Sequence, residues 1–132
     1  MKAVRPGTRH SFAVATQYRD TAEAFGNPGV PVVGTPALIG FLETAAERCL
    51  QPFYEGRECS VGTAIDVAHL APAPENSTIE ASAEVIGIDG RQIRFAVEVR
   101  MGASLLMKGS HERRVVDLDR FLARLGAEAS KP

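Results

Sequence analysis

This sequence predicts an α+β domain in which a curved antiparallel sheet wraps one long central helix, on two observations. Pro36 to Leu50 carries apolar residues around most of a helix circumference, which marks a helix enclosed by other structure. From Ser60 onward the period drops to two, through four consecutive segments separated by short turn signals. A meander of this kind has one face to cover, and a single apolar helix has surface to hide, so wrapping one around the other satisfies both.

The elements follow in order. His10 to Gln17 alternates strand-forming residues (Phe12, Val14, Thr16) and reads as a first strand. Tyr18 to Phe25 reads as a short helix, broken by Gly26-Asn27-Pro28-Gly29, after which Pro31 to Gly34 runs on extended. Thr35-Pro36 predicts a helix start with a hydroxyl at the N-cap and proline at the first helical position. Ser60 to His69 is a strand with Val61, Thr63, Ile65, Val67 and His69 on one alternating set and Gly62, Ala64, Asp66 and Ala68 on the other. Pro72 to Asn76 turns the chain into Thr78 to Val85, where Ile79, Ala81, Ala83 and Val85 oppose Thr78, Glu80, Ser82 and Glu84: a half-buried strand with one wet face. Asp89-Gly90 signals a hairpin into Arg91 to Arg100, and Met101-Gly102 turns into the last strand, Leu105 to Val116. Leu118, Phe121, Leu122 and Leu125 make a short amphipathic tail helix, and Ala127 to Pro132 reads as frayed. This is the hot-dog arrangement, read as one domain over residues 1–132. A lone protomer leaves sheet edges and a cleft open, so a homodimer is the expected working unit.

Composition narrows the function classes. Fifteen Lys plus Arg balance sixteen Asp plus Glu with no basic run, so nucleic acid is not the expected partner. Apolar stretches end well before the ~18 residues of a membrane span, and Met1 to Gly7 lacks a signal peptide's apolar region. Cys49 and Cys59 show no zinc or redox spacing and read as small hydrophobes in a reducing cytoplasm. No metal or cofactor is expected.

Three polar residues stand where periodicity expects core or its boundary. Glu43 shares a helical line with Ile39, Ala46 and Leu50, beside the apolar line Leu38, Leu42, Ala45 and Cys49. A carboxylate there must be paired, shifted in pKa or exposed in a cleft, because burying an unpaired charge is expensive; the bland alternative faces it outward beside Glu47 and Arg48. His69 closes an apolar alternating set, or is a satisfied histidine at a strand end. Thr35 sits where a hydroxyl, free N–H groups and a positive dipole end coincide, or only caps the helix. Together they have the composition of a generalised triad, in which a carboxylate orients an imidazole that takes a proton from a hydroxyl or water. On the last strand, His111 and Arg113 share a set with Leu105, Met107 and Val115. Arg113 is suited to a carboxylate or phosphate, or else belongs to a solvated charge cluster protecting an edge.

Gly34-Thr35 followed eight residues on by Glu43, the segment Gly62-Thr63-Ala64-Ile65-Asp66-Val67-Ala68-His69, and Gly109-Ser110-His111-Glu112-Arg113 together resemble the fluoroacetyl-CoA thioesterase-like branch of the hot-dog superfamily over about Val32 to Phe121. The resemblance implies an acyl-CoA thioesterase with Thr35, Glu43 and His69 as its catalytic set, Gly62 beside the thioester and Arg113 in the site. The chain departs from that family before the threonine, where lid phenylalanines are replaced by Gly26 to Val33 with Phe25 the one nearby aromatic. The acyl group is therefore left open. Hydrolysis of a small acyl-CoA to carboxylate and free CoA is the expected activity. An acyl-CoA hydratase or dehydratase, or a non-catalytic acyl-CoA binder, would use the same fold.

Overall fold

The computed structural model describes residues 1–130. The chain runs through β1 (Arg9–Ala15), α1 (Thr35–Leu50), β2 (Glu58–His69), β3 (Thr78–Asp89), β4 (Gln92–Met101), β5 (Ser104–Asp117) and α2 (Leu118–Ala129). The five strands form one antiparallel sheet in the order β1-β3-β4-β5-β2. The predicted sheet-around-helix architecture is what the chain adopts.

The core is the expected apolar line of α1 set against the inner faces of the strands. Leu38, Leu42, Ala45, Ala46 and Leu50 are fully buried with Ile79, Ala81, Val85, Phe95, Val99 and Val115. Burial of one such leucine or phenylalanine side chain is worth roughly 1.5–3 kcal/mol. The helix packs mainly on β3, with β1 and β4 beside it, and has little contact with β2 or β5. The inner face of β2 is consequently left open along one flank of the helix, and this opening is the cleft.

Several local expectations shift. Tyr18 to Phe25 is not a helix; a single 3-10 turn spans Tyr18–Asp20. No apolar stripe is available there to dock a longer one. The N-cap of α1 is Gly34, with Thr35 the first helical residue and proline second. The Gly34 carbonyl accepts from the amides of Ala37 and Leu38, and no side chain caps the helix. The Thr35 hydroxyl is thereby free for other work. At the other end of the chain α2 is ordered through Ala129, so fraying does not begin at Ala127; Lys131 and Pro132 lie outside the described residues.

The register of β2 is the more consequential correction. Gly62 pairs with Arg113 and Ala64 with Glu112, so Thr63 is the extra residue of a β-bulge. Ser60, opposite Val115, and Gly62, opposite Arg113, therefore share the inner face with Ile65, Val67 and His69, whose partners are His111, Gly109 and Met107. Simple alternation had put Gly62 on the other face. A one-residue insertion flips every side chain beyond it, which is why strict alternation misassigned this strand.

Candidate active site

Two clusters emerge, one at each end of the β2 segment that carries the motif. At the first, the N-terminus of α1 meets the last residue of β2: Thr35 Oγ1 lies 2.7 Å from His69 Nδ1, on the protein surface. The hydroxyl donates when Nδ1 is the unprotonated nitrogen, and Nε2–H then remains for a separate acceptor. Gly34 fits closely here: a Cβ on it would come within 3.2 Å of the Ala22 backbone and 3.3 Å of Phe25 Cδ2, so those neighbours would have to give way slightly.

The second cluster is built around Arg113. The arginine is buried, yet its guanidinium reaches four acceptors. Nε donates to Ser60 Oγ at 2.8 Å and Nη2 to the Ser60 carbonyl at 3.0 Å. Nη1 faces Glu43 Oε2 at 3.4 Å and His111 Nε2 at 3.3 Å. Glu43 keeps 47% of its side chain exposed, so it is a cleft carboxylate with a cation behind it and not a buried charge. Gly62 lies directly beneath that carboxylate: a Cβ there would stand 2.9 Å from Glu43 Oε2 and 3.3 Å from His111 Cε1. Glu43, Gly62 to Ile65 and His111 line an open pocket of about 290 Å³.

His111 is part of this cluster although its role was not assigned from the sequence. Its Nδ1–H donates to the Ala64 carbonyl at 2.8 Å, across the bulge, and its Nε2 accepts from Arg113. Burial first, and the adjoining Arg113 charge, lower its pKa below the ordinary 6.5. The imidazole is neutral at pH 7. Folded His111 binds fewer protons than unfolded His111 below that ordinary value, so its contribution to stability is complete above about pH 6.5 and is lost as pH falls through the folded pKa. Urea unfolding across pH 7 to 4 should show this acid-side loss, and the His111→Gln protein should lack that component.

The structure thus brings Thr35 to His69, and brings Glu43, Gly62 and Arg113 together. It does not join the two clusters within one chain: the hydrogen-bond partner of Glu43 is Arg113, not His69. Thr35 and Glu43 are eight residues apart on α1, about 12 Å at the helical rise. Among the described residues no cluster of His, Cys, Asp and Glu is suited to hold a metal ion. No helix of the described residues is long and apolar enough to cross a membrane. Cys49 and Cys59 are both free thiols, Cys49 buried in the core.

The family of fluoroacetyl-CoA-specific thioesterases matches residues 16–119, a span that includes both clusters. The chain belongs to that family. The fluoroacetyl-CoA thioesterase of Streptantibioticus cattleyicolor is 31% identical over 117 residues, covering 89% of this chain and 78% of that protein. A crystal structure of a phenylalanine-to-alanine mutant of the fluoroacetyl-CoA-specific thioesterase superposes with a TM-score of 0.90 at 28% identity, covering 97% of this chain and 99% of that one. A hot-dog-like protein from Thermanaerovibrio acidaminovorans superposes at 0.88 with 20% identity, over 96% and 94% of the two chains, which confirms the fold alone. As a member of the fluoroacetyl-CoA-specific thioesterase family the chain is a thioester hydrolase. Hydratase and binding-only readings give way to that.

Sequence reasoning missed Ser60, Tyr54 and Glu47, which extend the Arg113 cluster. Tyr54 Oη lies 2.8 Å from Glu47 Oε1 and 2.7 Å from Ser60 Oγ. The available signal was Glu47, one helical turn beyond Glu43 on α1, a spacing that stacks the two carboxylates on one face.

Proposed function

We propose that this protein hydrolyses a small acyl-CoA thioester to a carboxylate and free CoA, at a site completed across a homodimer by Thr35 and His69 of one chain and Glu43 of the other. The observation that carries this reading is the edge strand β2. It spans twelve residues, ends the sheet, and is exposed from Gly62 to Asp66 with Ile65 40% exposed. Neither lysine nor proline guards it, and the unpaired backbone N–H and C=O groups of an edge strand are a template for pairing with another strand. Antiparallel pairing of two copies about a two-fold axis at Asp66, with the bulged Thr63 passed over, would set the partner's His69 opposite Gly62. Gly62 lies directly under Glu43. The two half-sites would then meet, and Glu43 would accept from the Nε2–H that the Thr35 contact leaves available.

In this arrangement His69 is the general base and Thr35 the hydroxyl it deprotonates through the 2.7 Å contact. The oxygen attacks the thioester carbonyl carbon, the C–S bond breaks, and His69 returns the proton to the departing thiolate. Water then releases the acyl group as the carboxylate. Backbone N–H groups at the start of α1 stabilise the oxyanion, an effect worth about 3–4 kcal/mol per donor. CoA thioesters as a class are supported by similar proteins: one structure of the fluoroacetyl-CoA enzyme, 28% identical, holds acetyl-CoA, and another, 30% identical, holds fluoroacetate and CoA. The acyl group stays open for this chain. The segment from Gly26 to Val33 carries no aromatic residue, and Phe25, beside Gly34, is 54% exposed.

Thiol release across short, branched, halogenated and aryl acyl-CoAs tests the activity. Subunit mixing tests the architecture. Glu43→Gln and His69→Ala proteins, each inactive alone, should regain up to about a quarter of wild-type turnover when their subunits are exchanged, because about half of the dimers become heterodimers and one of the two sites in each escapes both changes. A monomer in solution, or no recovery after verified exchange, rejects the shared site.

A further inference from the structure

Arg113 faces two carboxylates but serves one. Glu43 and Glu47 stand one turn apart on α1 and line the same groove as Arg113, a cavity of about 250 Å³. The guanidinium has five N–H groups, and the four contacts to Ser60 Oγ, the Ser60 carbonyl, Glu43 and His111 leave one uncommitted. Glu47 nevertheless makes no contact with it. Its Oε1 is held by Tyr54 at 2.8 Å, and its Oε2 is buried with no partner.

The protons along this chain run in one direction. A carboxylate only accepts, so Tyr54 donates to Glu47; Ser60 Oγ–H therefore donates to Tyr54 Oη, and Ser60 Oγ accepts from Arg113 Nε. Burial, with the Glu47 carboxylate adding to it, holds the Tyr54 phenol above its usual range, so it stays a donor. Loss of the phenol oxygen would leave both Glu47 oxygens without a partner beside a cation with an N–H to spare. Such a carboxylate rotates toward the cation, because an unsatisfied buried charge is costly.

We propose that Tyr54 is a positioning residue that holds Glu47 away from Arg113 and so reserves the guanidinium for Glu43. This rests on the reading above of Glu43 as the carboxylate of a thioesterase site. The contribution is to kcat. Glu47 drawing on the spare N–H turns the guanidinium, whose 3.4 Å contact to Glu43 is the longest of its four and the first to be lost. A Glu43 carboxylate without it no longer stands in fixed register over Gly62, a misplacement that costs rate more than substrate affinity.

The test compares Tyr54→Phe with Tyr54→Phe/Glu47→Gln in the full chain, by steady-state thiol release and by crystal structure. Tyr54→Phe should lower kcat about tenfold with KM within about twofold of wild type, and the second change should restore most of the loss. The crystal structure of Tyr54→Phe should show Glu47 on Arg113, and that of the double variant should show Arg113 back on Glu43 alone. Wild-type kcat in Tyr54→Phe, a loss that Glu47→Gln fails to repair, or two variants that both fail to fold would each overturn the proposal. A single variant that cannot fold beside a double variant that folds and turns over supports it. Because the crystal structures need no substrate, they decide the Arg113 partner even if wild-type protein hydrolyses no acyl-CoA, an outcome that would sink only the thioesterase site.

Discussion

Alanine at His69 will lower kcat for an accepted acyl-CoA by about a thousandfold, the middle of the range for losing a general base. The loss should be catalytic and not structural. His69 is exposed at the end of β2 and has the Thr35 hydroxyl as its hydrogen-bond partner. Its removal leaves no cavity and no orphaned buried group, so unfolding by urea should be unchanged within about 0.5 kcal/mol. Without the imidazole the Thr35 hydroxyl keeps its ordinary basicity and is a poor nucleophile at neutral pH. Steady-state kinetics on folded protein measures this directly, and added imidazole should return part of the rate. Turnover within tenfold of wild type would remove His69 from the mechanism and leave the Arg113 cluster to account for the chemistry.

Alanine at Gly109 will instead damage the fold, by at least about 3 kcal/mol. Gly109 of β5 pairs with Val67 of β2. A Cβ at this position would overlap the Asp66 carbonyl oxygen and stand 2.7 Å from Val67 Cα, both of them backbone. Backbone cannot rotate aside as a side-chain end does, so the two strands would have to separate. That separation would disturb Gly62 and His69 together, because both depend on the β2 register. Gly87→Ala is the control: its Cβ would meet only Arg94 Cβ at an ordinary 3.8 Å, and its stability should change little. Urea midpoints of the two proteins decide the matter, and a Gly109→Ala protein as stable as Gly87→Ala would show that β2 tolerates displacement from β5.

How much could be read from residues alone varied with the range of the interaction involved. Pro36 to Leu50 announced a helix, and the half-wet Thr78 to Val85 announced a strand, because a repeat of 3.6 or of two is written locally. Gly109 looked like one small residue among others in a motif; only the strand beside it makes a methyl group impossible there. The bulge at Thr63 was equally hidden, since an extra residue is defined by what the partner strand lacks. Alternation alone therefore sent Gly62 to the wrong face, although its place in the site was inferred from its motif. Thr35 was read as a cap, one residue from Gly34, which carries that role in the folded chain. Helix ends are ambiguous by a residue in sequence, and the difference matters here because it leaves the hydroxyl for His69.

By itself the sequence determined the architecture: a hydrophobic helix and a two-residue repeat admit few ways to bury both, and these are properties of consecutive residues. It also pointed to Glu43 and Arg113, which stand out as charges on apolar lines. Tertiary structure alone decided the partners. Arg113 lies seventy positions from Glu43 and fifty-three from Ser60, and Thr35 lies thirty-four from His69. Hydrogen bonds over such separations depend on strand register and helix placement, which no local pattern encodes.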